Sequence, residues 1–184
     1  MRVLWVFAHP EPRSLTAQLR TAGIAALREA GHEVIESDLY AMNWNPVVTA
    51  GDFAYDGVER LDVAEESEAA LRTGRLAADI RAEHDKLAWA DTVVLHFPLW
   101  WYGMPAIMKG WLDRVLVQGY AYGVRDPESG RTRRYGDGAW QASAPRRWCR
   151  SAPMPGWDRA ASTAISRRSS SPCSTAPSST PAWR

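Results

Sequence analysis

The chain has 184 residues, enough for one α/β domain with a sizeable core. Its 22 basic and 21 acidic residues leave a formal net charge of +1, which excludes a strong overall field that would attract nucleic acid or an anionic membrane. The sequence starts with an apolar strand rather than a secretory signal pattern, and no apolar run reaches the roughly 20 residues that cross a bilayer. We therefore expect a cytoplasmic protein with no nucleic-acid partner and no stable membrane insertion.

Residues 2–8 (RVLWVFA) form a near-continuous apolar run, which is typical of a central parallel strand covered on both faces. Residues 14–30 then predict a helix, with Ser14 as its N-cap and a glycine just past its end. Its apolar residues at helical spacing are Leu15, Leu19, Ala22 and Ala26. Residues 32–39 (HEVIESDL) predict the next strand, which a right-handed crossover places parallel to the first.

Residues 40–73 predict a long surface excursion, because the apolar pattern gives way to polar stretches and an acidic run. Residues 75–90 predict a helix, and residues 92–97 (TVVLHF) predict a third buried strand. Pro105 suits the first turn of a further helix that runs to about residue 117, since its missing N–H needs no partner there. Three strand–helix units predict a doubly wound parallel α/β sheet, which binds ligands beyond the carboxyl ends of its strands.

Two loops carry the chemistry: AHPEPRSLT after the first strand and FPLWWYG after the third. The first loop combines a helix N-terminus with the imidazole of His9 and the hydroxyls of Ser14 and Thr16, which together suit a phosphate or pyrophosphate. The second loop offers backbone amides held by proline and large rings, which suit a flat heteroaromatic group. Because both loops follow strand ends, the predicted sheet places them on the two sides of one crevice.

Each of these features also has a purely structural interpretation. A single histidine after a strand is more often hydrogen-bonded within the fold, and Ser14 alone is best explained as an N-cap. Trp100, Trp101 and Tyr102 alone would be assigned to the core or to a dimer surface, where aromatic side chains are enriched. The pair of loops favours a ligand site, because phosphate chemistry beside a planar slot is what a flavin nucleotide requires.

The strings AHPEPRSLTAQL and FPLWWYGMPAIMKGWLDRVLVQGYAYG resemble the two signature regions of the NAD(P)H:quinone oxidoreductase family, flavodoxin-like flavoproteins that reduce quinones by two electrons. The resemblance extends over residues 1–139 and includes the intervening DLYAMNWNPV. It implies a flavodoxin-like doubly wound sheet, FAD or FMN as cofactor, and NAD(P)H as co-substrate. It also implies a homodimer, no metal, and a ping-pong mechanism in which a hydride passes to the flavin and the electrons then pass to a quinone.

The resemblance also assigns site residues. It implies that the flavin phosphates are held by His9, Ser14, Leu15 and Thr16. It implies that the isoalloxazine is lined by Pro98, Leu99, Trp100, Trp101 and Tyr102. The rings implied to stack against nicotinamide or quinone are Trp101, Tyr102 and, from the other subunit, Tyr122. No catalytic residue is assigned within this chain.

Residues 140–184 differ in composition from the rest of the chain. They contain no Leu, Val, Phe, Tyr, Lys or Glu, whereas Ser, Arg, Pro and Ala dominate. They predict no fourth or fifth strand, and their two cysteines, Cys149 and Cys173, make neither a disulfide framework nor a zinc site. A disordered tail would explain the polarity, yet four of the chain's 10 tryptophans lie here, and disordered segments are normally poor in aromatic residues.

We interpret this region as the product of a one-nucleotide reading-frame slip near Ala139. Serine codons that begin with TC become codons for Phe, Leu, Ile or Val when the frame moves back by one base, so a serine run can conceal an apolar strand. Codons permitted for residues 160–184 then encode RGIHGDIAAILFPVQHGTFVYTGMA, and those for residues 140–153 allow LAGKRAPAVVSVGA. The free third base makes any single match easy, but the middle base is mostly fixed and sets polarity.

The printed chain would then lack part of its active site. In the family, the histidine of GIHGD lies near the flavin and stabilises charge on the reduced ring, but its codon would straddle Ser162 and Thr163, so neither residue inherits the role. Losing the last two strands would leave the third strand as an apolar edge, which promotes aggregation. We therefore expect an incomplete sheet and a chain that is poorly folded or flavin-free.

Two alternative functions are open at this point. One is a non-catalytic regulatory subunit of a potassium-efflux system, as some relatives are, which co-purification with a membrane channel would reveal. The other is a flavin reductase of azo or nitro compounds that uses the same slot, which a panel of substrates would separate from a quinone reductase. FAD and FMN, and likewise NADH and NADPH, are both compatible with the sequence.

Overall fold

The structure, a computed structural model, describes residues 1–57 and 60–133 and the backbone of residues 147–151. This part of the chain forms strands and helices in the alternation that the sequence predicts. In chain order the elements are β1 (Arg2–Phe7), α1 (Leu15–Glu29), β2 (Glu33–Asp38), a 3-10 helix (Ala50–Phe53), α2 (Val63–Thr73), α3 (Ala78–Trp89), β3 (Thr92–His96), α4 (Ala106–Val115) and β4 (Arg147–Ser151).

The strands form one parallel sheet in the order β2-β1-β3-β4. Phe7 of β1 lies opposite Asp38 of β2 on one side and opposite His96 of β3 on the other. The predicted doubly wound parallel sheet is therefore confirmed. Since parallel strands all end at the same edge, the loops that follow β1 and β3 leave the sheet side by side.

Alternate residues of β1 face two different cores. Leu4 and Val6 are fully buried in the larger core, which α3 and α4 help to form. Trp5 and Phe7 belong to the smaller core on the other face, together with Ile24 of α1. Because both faces are covered, the strand is apolar at nearly every position, and this is why its sequence predicts a central strand.

The helix α1 begins where the sequence predicts, but a different side of it faces the sheet. The four apolar residues at helical spacing are all exposed: Leu15, Leu19, Ala22 and Ala26. The helix buries Ala17 and Ile24 instead. Gly23 gives the reason, since a Cβ atom there would lie 2.8 Å from the ring of Trp5, so the glycine lets this side of the helix approach a large side chain on β1.

The predicted surface excursion between β2 and α3 contains a helix that the sequence analysis missed, α2. Asp62 caps its first turn by accepting from two backbone N–H groups, and Gly74 ends it in the left-handed conformation. Only Ser67 and Ala70 are buried along this helix. The apolar pattern is weak because the buried side consists of two small residues.

The earlier part of the same excursion is attached to α4 by a buried ion pair. Arg114 is 3% exposed and makes two hydrogen bonds of 2.9 Å to the carboxylate of Asp52. It also donates to Asp79 at 2.7 Å and to the carbonyl of Asn45 at 3.0 Å. Since the buried guanidinium is hydrogen-bonded on several sides, residues 45–52 are held against the body of the fold.

The structure adds a strand where the sequence predicts none. β4 pairs with β3 along its whole length, from Thr92 opposite Arg147 to His96 opposite Ser151. Strand pairing uses backbone groups that every non-proline residue carries, so the sequence RWCRS can pair without an apolar pattern. The sequence analysis expected β3 to be an open edge strand, but β4 covers that edge. The predictions for residues 140–146 and 152–184, the fifth strand included, lie outside the described residues.

Candidate functional site

The loop after β1 is held by its own hydrogen bonds. The Nδ1 atom of His9 accepts from the N–H of Glu11 at 3.0 Å. The carboxylate of Glu11 accepts from the guanidinium and the N–H of Arg13 at 3.0 and 2.8 Å, and these bonds hold the pKa of Glu11 below its usual value. The N–H of Ser14 donates to the carbonyl of Glu11 at 3.1 Å. These hydrogen bonds fix the conformation of residues 9–14, which connect β1 to the start of α1.

The start of α1 leaves two backbone donors available. The Oγ atom of Ser14 accepts from the N–H of Ala17 at 3.1 Å, so Ser14 is the N-cap that its sequence context predicts. Among the described residues, no hydrogen bond uses the N–H groups of Leu15 or Thr16, and the first turn contains no acidic side chain. Free N–H groups at the positive end of a helix, with no carboxylate beside them, suit a phosphate.

The loop after β3 forms a tight turn, residues 100–103, which we call the aromatic turn. Trp100 and Gly103 exchange two backbone hydrogen bonds of 3.0 and 2.9 Å. The two central residues, Trp101 and Tyr102, have φ angles of 49° and 60°. Two left-handed residues in a row are typical of a type I′ turn, in which Asn and Gly are preferred. A non-glycine residue in this region costs about 1–2 kcal/mol.

The strained residues of the aromatic turn also carry its most exposed rings. Trp101 is 98% exposed and Tyr102 is 93% exposed, so the structural interpretation that places them in the core is wrong. Trp100 is half-buried, and Pro98 and Leu99 before it are partly buried. Backbone strain combined with large exposed aromatic surface is characteristic of ligand and partner sites.

The two loops meet at one place on the molecule. The ring centroids of His9 and Trp100 are 6.3 Å apart, with the rings inclined at 63°. Trp100 is the first residue of the aromatic turn, and His9 lies in the loop that leads into α1. The two loops therefore adjoin at the edge of the sheet where β1 and β3 end. The structure therefore brings together the two loops that the sequence analysis paired.

A buried histidine that the sequence analysis did not single out lies beneath this edge. His96, the last residue of β3, is 2% exposed, and its Nδ1 atom accepts from the indole N–H of Trp5 at 3.3 Å. The neutral ring therefore carries its proton on Nε2, which has no partner among the described residues. Burial, with the charges of Arg20 and His9, lowers the pKa of His96 to about 4. A histidine inside the apolar run TVVLHF is the signal that could have identified it.

Tyr122 belongs to a third loop. It is in the loop that follows α4, and its side chain is 52% exposed. No ring contact or hydrogen bond among the described residues joins it to His9 or to the aromatic turn. The role that the resemblance assigns to Tyr122, from the other subunit, stays a prediction.

The described residues offer neither a metal site nor a membrane span. In this part of the chain, no group of three or more His, Cys, Asp and Glu residues is arranged to hold a metal ion. The helices of the same ranges are too short or too polar to cross a bilayer. The chemistry available at the two loops is that of backbone amides, hydroxyls, imidazole and exposed rings.

Comparison with known proteins assigns this geometry to a family. A family model for the flavodoxin-like fold matches residues 1–141. The chain belongs to this family. The rat protein NAD(P)H dehydrogenase (quinone) 1 is 47% identical over 123 residues, which are 66% of this chain and 45% of the rat protein. The ribosyldihydronicotinamide dehydrogenase-like protein traD of Penicillium crustosum is 45% identical over 140 residues, 75% of this chain and 52% of that protein.

A solved structure supports the same relationship. A Klebsiella pneumoniae protein assigned as a quinone reductase superposes with a TM-score of 0.75 and 45% identity, over 83% of this chain and 58% of that one. The predicted membership of the NAD(P)H:quinone oxidoreductase family is therefore confirmed. The chain spans about half the length of the curated relatives described above, 52% and 45%.

Proposed function

We propose that the protein is a flavin-dependent NAD(P)H:quinone oxidoreductase with a ping-pong mechanism and with FAD or FMN as its cofactor. The observation that carries this proposal is the placement of the α1 N-terminus beside the aromatic turn, joined by the contact between the rings of His9 and Trp100. When bound, the flavin supplies a ring that accepts a hydride from NAD(P)H and passes two electrons to a quinone. The site fits such a group, because unpaired N–H groups lie near exposed flat rings.

The start of α1 would hold the flavin phosphates. Leu15 and Thr16 contribute their N–H groups, and the hydroxyl of Thr16 adds a further donor. Ser14 contributes the helix start that it caps by accepting from the N–H of Ala17, and its O–H remains a donor for a phosphate oxygen. The Nδ1 atom of His9 is engaged with the backbone of Glu11, which leaves Nε2 as the ring atom that would face a phosphate oxygen.

The loop after β3 would hold the isoalloxazine. Pro98, Leu99 and Trp100 form its partly buried side, and no hydrogen bond among the described residues uses the N–H groups of Trp101 and Tyr102. The exposed rings of these two residues would exclude water from a stacked nicotinamide or quinone. We propose that Tyr122 of a second copy completes this slot, so the active form is a homodimer.

We also propose that residues 140–184 arise from a reading-frame slip near Ala139. The family match ends at residue 141, close to the change in composition. The alternative frame permits AVVSV at the codons for Arg147–Ser151, where the structure forms β4 beside β3. An apolar strand suits the interior of a parallel sheet far better than RWCRS. Sequencing the DNA across codon 139 tests the slip, and stop codons or unrelated residues in the other frame would rule it out.

The function is tested by expressing both versions of the chain, as printed and with the frame restored. We expect the restored chain to bind flavin, shown by its visible absorbance, and to reduce quinones with NADH or NADPH in parallel-line, ping-pong kinetics. We expect the printed chain to be flavin-free, and a soluble yellow product would contradict this. A restored chain that binds flavin but reduces no quinone would refute the proposed activity, and preference for azo or nitro compounds would replace it with that alternative.

A further inference from the structure

Residues 117–123 (VQGYAYG), which we call the tyrosine loop, form a turn that closes on itself. The N–H of Gly119 donates to the carbonyl of Tyr122 at 2.7 Å, and the N–H of Ala121 donates to the carbonyl of Val117 at 3.0 Å. Gly119 has a φ angle of 81°, which other residues adopt only with strain. Because the turn is closed by these bonds, a displacement of one part displaces Tyr122 as well.

Two neighbouring helices hold the tyrosine loop in place. On the side of α2, the amide of Gln118 donates to the carboxylate of Glu68 at 2.7 Å. On the side of α3, the ring of Tyr120 stacks on the imidazole of His84, with centroids 3.8 Å apart and planes inclined by 13°. The hydroxyl of Tyr120 also donates to the carbonyl of His84 at 3.4 Å. Tyr120 thus contacts both the side chain and the backbone of one residue.

The imidazole of His84 has a second contact, at the end of α4. Its Nε2 atom lies 2.7 Å from the carbonyl oxygen of Val115, the last residue of that helix, so Nε2 carries the proton and donates it. The last carbonyls of a helix have no partner within the helix, and here a side chain supplies one. Burial lowers the pKa of His84, which favours the neutral ring. One imidazole therefore links the point where the loop leaves α4 to the ring of Tyr120.

We propose that His84 is a positioning residue that sets the placement of Tyr122 through Tyr120, and with it the affinity of the site for the electron acceptor. The hydrogen bond fixes the imidazole against α4, and the stacked ring transmits that position into the closed turn. Tyr122 offers a half-exposed ring whose stacking with a flat ligand depends on its location. The effect on the acceptor rests on the proposed function, whereas the placement of the loop does not.

The test separates the two contacts of His84. The variant His84→Phe keeps a ring for stacking and removes the donor, and His84→Gln keeps a donor and removes the ring. Asp85→Asn is the matched control, because Asp85 is an exposed neighbour on α3 that makes no hydrogen bond to the loop among the described residues. Amide hydrogen exchange of residues 117–123 in the full chain should become about tenfold faster in both His84 variants and stay unchanged in the control.

The second readout is kinetic. In the frame-restored chain loaded with flavin, the KM for quinone should rise about fivefold or more in the His84 variants while kcat changes less than about twofold, since acceptor binding is impaired and the chemistry is not. Unchanged exchange in both variants would overturn the proposal, and so would faster exchange with an unchanged KM. A restored chain without quinone turnover would refute the proposed function instead, and the exchange result would still decide the placement of the loop.

Discussion

The loop after β1 and the loop after β3 lie at the same edge of the sheet but are built in opposite ways. The first satisfies its polar groups internally, through His9, Glu11 and Ser14, and leaves helix N–H groups for a ligand. The second keeps Trp101 and Tyr102 in the left-handed region with their rings in solvent. A phosphate can be bound by donors that any helix start supplies, whereas the rings available to a flat ligand here stand on a backbone held in the left-handed region.

The largest effect should come from relaxing the second loop. Replacing Trp101→Asn together with Tyr102→Gly gives the turn the residues that its backbone prefers, so the free energy of unfolding should rise by about 2–4 kcal/mol. Quinone reduction by the frame-restored, flavin-loaded chain should fall by about a hundredfold, because the stacking rings are gone. Urea unfolding and steady-state kinetics measure the two changes.

A matched control exists outside these two loops. Ala54 also has a positive φ angle, 51°, outside the two loops. Ala54→Gly should stabilise the protein by up to about 1 kcal/mol with no change in turnover. If the double variant at the aromatic turn were less stable than wild type, the strain assigned to that turn would be refuted.

The next effect is a dependence of stability on pH at the base of the second loop. The pKa of His96 is about 4 in the folded protein, below the usual value of 6.5. Between these values the unfolded chain binds a proton that the folded chain does not, so stability falls as pH decreases from about 6.5 towards 4. The contribution lost is about 3 kcal/mol.

The variant His96→Gln isolates this contribution. Its free energy of unfolding should decline less than that of wild type between pH 7.5 and pH 4, by about 3 kcal/mol at the acidic end. Some decline should persist in the variant, since burial also lowers the pKa of His84. Parallel pH profiles for wild type and variant would show that His96 is not a buried neutral ring.

The smallest effect should come from the first loop. Ser14→Ala removes the N-cap of α1 and should lower the free energy of unfolding by about 1 kcal/mol. Ser14→Gly should lower it by only a few tenths of a kcal/mol, and urea unfolding measures both changes. Flavin affinity of the glycine variant of the frame-restored chain should change less than about threefold, because the free N–H groups of the helix start are kept when the hydroxyl is removed. A tenfold loss of flavin affinity in Ser14→Gly would show that the hydroxyl contacts the phosphate directly.

The sequence predicted elements best where large apolar residues mark the buried side. This holds for β1, β3 and α3, in which Leu76, Ile80 and Leu87 at and near the helix reach the core as their spacing indicates. It failed for α2, whose buried side is Ser67 and Ala70. It also misjudged the buried side of α1, because the approach of Gly23 to Trp5 depends on the strand beneath the helix.

The candidate site, like the fold, was predictable only in part. The N-cap role of Ser14 follows from local chemistry, and the pairing of the two loops follows from the rule that parallel strands end at one edge. His96 was missed, since its unpaired Nε2 atom and low pKa arise from burial beside Trp5 and Arg20. No pattern within a single strand encodes those neighbours.

The sequence by itself determined the alternation of strands and helices, the capped start of α1 and the family resemblance, because each depends on residues close together in the chain. The tertiary structure alone decided the left-handed backbone of Trp101 and Tyr102, the burial of His96 and the stacking of Tyr120 on His84. The burial of His96 and the stacking of Tyr120 on His84 depend on contacts between residues far apart in sequence. Their energies are set by packing and desolvation, which only the assembled fold defines.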